Sequence, residues 1–128
     1  MTTVADVMNT GVLTVEPSDT IGEAAEKMME AGVGAVVVME DLARIIGIVT
    51  ERDILRAVAS RARAAEARVR QWMTEIVVTI EPETTIADAA KIMFEHNFRH
   101  LPVVKDSRLL GIVSLRRLSK WEFEHQRQ

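Results

Sequence analysis

The chain carries nearly the same sentence twice, and this repetition restricts its fold more than any other feature. Residues 4–41 moved forward by 65 positions fall on residues 69–106. Met8 then meets Met73, Thr14 meets Thr79, and Glu16-Pro17 meets Glu81-Pro82. Thr20-Ile21 meets Thr85-Ile86, Ala24-Ala25 meets Ala89-Ala90, and Met28 meets Met93. The first copy then gains one residue, so at an offset of 64 Gly47-Ile48-Val49-Thr50 lies on Gly111-Ile112-Val113-Ser114. Two copies of one unit imply two related sites, and differences between the copies mark which site keeps its chemistry. A copy of about 60 residues buries little core alone, so the copies are expected to pack together in one 1–128 module.

Each copy reads strand, helix, strand, strand, helix. Residues 11–15 and 76–80 are short β-rich runs ended by Glu-Pro, where a ladder loses its donor. Thr20 and Thr85 precede helical patterns, with Glu23 and Asp88 three residues on, as in a capping box. Ile21, Ala24, Ala25 and Met28 recur at helical spacing, as do Ile86, Ala89, Ala90 and Met93, which makes the methionines core filler. Gly32 and Asn97 stand where a left-handed C-terminal cap belongs. Residues 35–39 and 45–49 form one hairpin, residues 100–104 and 109–113 the other, with turns at Asp41 and Asp106. Their continuous apolar character predicts burial on both faces. A further helix follows Thr50 and Ser114. The stretch from Ala57 to Ala67, rich in Ala and Arg without Gly or Pro, extends the first of these into the connection between copies. The fold class is α/β of the α+β type.

Composition removes several functions. No apolar run approaches the ~20 residues of a membrane span, and the N-terminus lacks a basic start before an apolar stretch. Cysteine is absent, which excludes disulfides and thiolate sites and fits a cytoplasmic protein. A net charge of −3 argues against a general nucleic-acid binder. Arg56, Arg61, Arg63, Arg68 and Arg70 form a basic run, but Glu51 and Glu66 dilute it into a solvated face. His96 and His100 are four apart, yet Asn97 ends their helix and a metal needs more ligands, so no metal site is expected. No nucleophile–base pair can be assembled, so no catalytic residue is assigned.

Gly47-Ile48-Val49-Thr50-Glu51-Arg52-Asp53 is a strand running straight into a helix. Thr50 is the N-cap and Asp53 the third helical residue. Free amides and the helix dipole attract phosphate there, and a carboxylate can accept bonds from both hydroxyls of a ribose. The same Thr-x-x-Asp spacing is also that of a plain capping box, and the motif alone leaves both readings open.

The repeat, the Val-Met and Trp-Met openings, the Glu-Pro steps, the Gly-Ile-Val-Thr/Ser signature and the His100-Leu101-Pro102-Val103-Val104 strand together resemble a CBS-domain pair, the cystathionine-β-synthase-type module. The resemblance covers residues 4–119, with repeats at 4–60 and 69–123. It implies a stand-alone module of two β-α-β-β-α units related by a pseudo-twofold axis. It also implies an adenosine-containing ligand in the cleft between them: AMP, ADP or ATP, with NAD and S-adenosylmethionine as further candidates, and no covalent cofactor. Carried over residue by residue, one site comprises Thr50 and Asp53 at the ribose, Ile76, Val77 and Val78 beside the base, and Arg99, His100 and Pro102 towards the phosphates. The weaker site comprises Val12, Leu13, Ala35, Ser114 and Arg117. There Arg117 replaces the carboxylate of Asp53, and Gly34-Ala35 replaces Arg99-His100. Arginine has donors only, so one good site and one poor or repurposed site are expected. The resemblance implies an energy-sensing regulatory role and a downstream protein that reads it. The alternative is an interaction scaffold with a vestigial site. A homodimer is expected through Ile54, Leu55 and Val58 in one copy and Leu118, Trp121 and Phe123 in the other.

Overall fold

The computed structural model describes residues 1–41, 43–75 and 78–126. The chain divides into two compact units whose borders cut across the sequence repeats. One unit holds residues 13–77, the other residues 1–12 together with 78–128. The opening segment of each repeat therefore belongs to the compact unit built around the other repeat.

In the unit spanning 13–77, a sheet runs β1 (Thr14–Val15), β2 (Ala35–Glu40), β3 (Arg44–Thr50), β4 (Thr74–Glu75) in spatial order. Strands β1 and β2 are parallel, with Val15 opposite Val38; β2–β3 and β3–β4 are antiparallel. Helix α1 (Ile21–Ala31) starts at a full capping box between Thr20 and Glu23. Bonds from the Thr20 amide and hydroxyl hold the Glu23 carboxyl below the usual carboxylate range. The helix stops at Gly32 with φ 66°, which glycine adopts without strain. It buries Ile21, Ala24 and Met28 against Val36, Val38 and Val49. Helix α2 (Glu51–Ala59) follows β3 directly, and the short helix α3 (Val69–Trp72) adds Val69, Trp72 and Met73 to the same core.

The other unit repeats this plan on a two-stranded sheet of β5 (His100–Lys105) and β6 (Arg108–Ser114). Helix α4 (Ile86–His96) ends on Asn97 at φ 56°, and helix α5 (Leu115–His125) follows β6. Residues 1–12 contribute Val4 and Val7 to the core, beside Met93, Leu101, Val103 and Val113. The Asn9 amide and carbonyl exchange bonds of 2.9 and 3.0 Å with Ile112. That bridge stands where Thr74 pairs with Ile48 in the first unit. The two hairpins even share a register shift, between Val38 and Met39 and between Val103 and Val104.

Three expectations need correction. Helix α2 ends at Ala59 and does not extend to Ala67. Arg61 takes φ 63°, its amide bonds the Val58 carbonyl, and the Ala62 amide reaches back to the Ala57 carbonyl. This is a Schellman stop built without glycine. Ala62 packs onto the core that holds Ala57, which fixes the stop there. The run 11–15 is strand only at Thr14–Val15. Of the run 76–80, Ile76 and Val77 lie outside the described residues, while Ile80 bridges Val103 in parallel. Ile54, Leu118 and Trp121, expected on the dimer face, pack instead in their own units.

Candidate functional site

Strand β3 delivers Thr50 to the start of α2 in extended backbone, and the turn of helix brings Asp53 back beside it. Asp53 is the buried charged residue of the described chain, at 2% exposure. Burying a carboxylate is costly unless its oxygens are satisfied. Here they are. Oδ2 accepts from the Thr50 amide at 2.9 Å and the Thr50 hydroxyl at 3.1 Å. Oδ1 accepts from Arg56 Nη1 at 2.8 Å and the Thr74 hydroxyl at 3.1 Å. The Thr74 hydroxyl also lies 3.4 Å from Oδ2, so it straddles the carboxylate. The capping box forms, and an ion pair with an exposed arginine and a hydroxyl from β4 are added to it. The Arg56 guanidinium lies 5.8 Å from the Trp72 ring centroid, within cation–π range.

The corresponding turn in the other unit is chemically different. Ser114 caps α5 by accepting from the Arg117 amide at 3.0 Å. Arg117, in the place of Asp53, turns its Nε to the Val7 carbonyl at 2.9 Å. It ties the opening segment to α5, a role the sequence does not reveal. A shallow cavity of ≈210 Å³ beside it is lined by Asp6, Val7, Lys120, Trp121 and Glu124.

The residues expected at the first site fall in both units. Thr50 and Asp53 sit together in the 13–77 unit, with Arg56 and Thr74 as partners that sequence reasoning missed. Thr74 is 21 residues from Asp53 and follows no motif spacing. Ile76 and Val77 lie outside the described residues. Val78, Arg99, His100 and Pro102 belong to the other unit. Val78 packs against that unit's core. Arg99 is exposed just before β5, its carbonyl accepting from the Leu115 amide at 2.8 Å. His100 starts β5 opposite Ser114, half-buried, and Pro102 is buried opposite Ile112. Of the weaker set, Leu13 and the buried Ala35 lie in the 13–77 unit, while Val12, Ser114 and Arg117 lie in the other.

Among the described residues, no group of three His, Cys, Asp or Glu side chains could hold a metal. His96 stacks on Phe98, with ring centroids 5.5 Å apart. No described helix is long and apolar enough to cross a membrane.

With two like units, each carrying a capped strand-to-helix turn and only one a buried carboxylate, the architecture is that of a tandem-repeat module. The family model for the CBS domain matches residues 4–60 and again residues 69–124, so the chain belongs to the CBS-domain family, as two CBS domains in tandem. The CBS domain-containing protein YhcV of Bacillus subtilis is 37% identical over 115 residues, which is 90% of this chain and 81% of that protein. The CBS-domain containing protein ATU1752 of Agrobacterium tumefaciens superposes with a TM-score of 0.86 at 35% identity, covering 94% of this chain and 99% of that one. The CBS domain pair of protein MJ0100, solved with 5′-methylthioadenosine and S-adenosyl-L-methionine, gives a TM-score of 0.86 at 26% identity over 94% and 98% of the two chains.

Proposed function

We propose that this chain is a regulatory binding protein for an adenosine-containing ligand, with AMP, ADP and ATP as the first candidates, and that it carries no catalytic chemistry. The observation that supports this most is the Asp53 carboxylate, held in a fixed orientation at the N-terminus of α2 in a family where the MJ0100 pair is bound to adenosyl compounds. Asp53 is the ribose acceptor and Thr50 stands beside it. Val78 provides branched apolar surface for a flat base; Ile76 and Val77, assigned to the same role from the sequence, lie outside the described residues. Arg99 supplies a charge-assisted donor for phosphate, with His100 and Pro102 alongside. The second repeat of the motif, with Arg117 spent on the Val7 carbonyl, is repurposed, which leaves one strong site per chain.

The test is a melting series with AMP, ADP, ATP, NAD and S-adenosylmethionine. A ligand at about 100 times its Kd adds about 2.7 kcal/mol to the stability of the form that binds it. Calorimetry with the ligand that shifts the melt is expected to give one site; two equal sites contradict the assignment of Arg117.

Phosphate recognition makes a separate prediction. Arg99→Ala is expected to weaken AMP roughly ten-fold and leave adenosine nearly unchanged, since only AMP brings an anion and a bond to a charged group contributes about 1.5–3 kcal/mol. Equal losses for both ligands place Arg99 away from the phosphate.

A second reading, an interaction scaffold with a vestigial site, is favoured by one observation: each carboxylate oxygen of Asp53 is already bonded within its own unit. The same melting series separates the two, because a scaffold shows no shift with any ligand of the panel. Either reading includes a homodimer. Leu55 and Val58 are 69% and 58% exposed on α2, and Phe123 is 74% exposed on α5. Light scattering over a dilution series is expected to give the dimer mass. Leu55→Glu is expected to divide that dimer, because a buried unpaired charge opposes the seam. A dimer that survives the substitution moves the interface to Phe123.

A further inference from the structure

We propose that the Thr74 hydroxyl occupies the ribose position on Asp53, so that a ribose diol binds only by displacing it. The proposal rests on the reading of Asp53 as the ribose acceptor and adds what controls it. An ionised carboxylate offers about four lone-pair directions. In Asp53 all are engaged: two by Thr50, one by Arg56 and one by Thr74. Removing Thr74 frees one direction, so a ribose hydroxyl that donates to Asp53 takes the place of a donor already present.

The four bonds are not equally exchangeable. The Thr50 amide is built into the start of α2 and leaves only if the helix unravels, and the Thr50 oxygen is held beside it by the bond it accepts from the Asp53 amide. Arg56 makes the charge-assisted bond, at 2.8 Å, and its cation neutralises a buried anion, so its loss is the most costly. Thr74 is a neutral hydroxyl. It is exposed, it sits on a two-residue strand, and it divides one proton between Oδ1 at 3.1 Å and Oδ2 at 3.4 Å. A shared proton makes a weaker bond to each acceptor than an undivided one. A ribose hydroxyl is chemically the same donor, so the exchange is like for like. Thr74 also stands on β4, paired with β3 at Ile48. A ligand that takes its place acts directly on the opening segment of the second repeat, which gives binding a mechanical consequence.

The consequence is an affinity held below its limit by an internal competitor. In Thr74→Val, nearly isosteric but without the hydroxyl, the free protein has an acceptor left for solvent and the ligand displaces nothing from the protein. Adenosine is then expected to bind about three- to ten-fold more tightly than to the unchanged chain, the range of one ordinary hydrogen bond. The probes are adenosine and 2′,3′-dideoxyadenosine, both neutral, so that Arg99 and the phosphate do not enter. The dideoxy compound has no diol and leaves the Thr74–Asp53 bond intact, so its affinity is expected to be the same in both proteins. Thr74→Ser keeps the hydroxyl and is expected to restore the adenosine affinity of the unchanged chain. A general loosening of the fold shifts both nucleosides together, and that result overturns the proposal. So does adenosine affinity that is unchanged or weaker in Thr74→Val while the unchanged chain binds adenosine and Asp53→Asn does not; in that case the ribose reading of Asp53 survives alone. If neither the unchanged chain nor Thr74→Val binds adenosine, the ribose reading and this proposal fall together.

Discussion

Asp53→Ala is expected to lower stability by about 3 kcal/mol in the absence of any ligand. The substitution keeps the Thr50 cap, which accepts from the amide of residue 53, but removes the bonds to the buried carboxylate, and a bond to a charged group contributes about 1.5–3 kcal/mol. The full sum is not reached, because Arg56 and Thr74 are exposed and rehydrate when the carboxylate leaves. The Thr50 amide beneath them has less access to water and carries most of the loss. A urea titration at constant slope measures the effect. A change below about 0.5 kcal/mol shows that the network around Asp53 does not hold α2 in place. The same substitution is expected to weaken an adenosyl ligand by roughly ten- to a hundred-fold, the affinity equivalent of one charged hydrogen bond. The two results are independent. A stability loss with unchanged affinity leaves Asp53 a structural partner of Thr50 and Arg56 and places the ligand's ribose away from it. Arg117→Ala is the internal control. It removes a single bond from an exposed side chain to the Val7 carbonyl, so a loss of only about 1 kcal/mol is expected.

What the sequence revealed and what it concealed divide along the range of the interactions. Gly32, Asn97, Asp41 and Asp106 were each readable as stops or turns, and they take φ of 66°, 56°, 56° and 51°. These positions are governed by neighbours within four residues, where residue type alone limits the backbone. The caps at Thr20, Thr50, Thr85 and Ser114 belong to the same class. Arg61 escaped because a left-handed arginine costs about 1–2 kcal/mol and no local rule places one. The packing of Ala62 against the core makes that conformation worthwhile. The partners of the two motif positions were hidden for a different reason. Thr74 reaches Asp53 across 21 residues and Arg117 reaches Val7 across 110, and neither separation leaves a period in the sequence. The assignment of each opening segment to the other repeat's compact unit was equally invisible. Val4 and Val7 look the same in sequence whichever core they enter. Composition could show that Arg117 is unable to do what Asp53 does, but not what it does instead.

The repeated glycine of Gly-Ile-Val-Thr/Ser records where those opening segments cross. A Cβ on Gly111 would stand 2.8 Å from the Asn9 carbonyl oxygen and 2.7 Å from the Met8 sulfur. On Gly47 it would stand 3.0 Å from the Thr74 carbonyl oxygen and 2.6 Å from the Met73 sulfur. A methionine side chain can turn aside, but a backbone carbonyl cannot. In the Gly111 case that carbonyl also accepts from the Ile112 amide, and Asn9 donates back to Ile112. Room for a methyl group therefore comes only by moving the strand-like pair of Asn9 and Ile112 apart, which also draws Val4 and Val7 from the core. Gly111→Ala is expected to cost about 2–3 kcal/mol, the upper part of the range for overpacked interiors. The better strand propensity of alanine returns only a few tenths. Gly47→Ala is expected to cost less, about 1–2 kcal/mol, because the Thr74 carbonyl lies at the edge of tolerable contact. Urea midpoints of the two variants measure the order. Equal midpoints overturn the order, and a Gly111→Ala protein as stable as the unchanged chain means that residues 1–12 yield without loss and do not hold their unit together. If the order holds, Gly47→Ala also gives a second handle on the site, since the displaced segment carries Thr74. Thr74 is then pulled from Asp53, and adenosine affinity is expected to rise as stability falls, the opposite of what a damaged binding site gives.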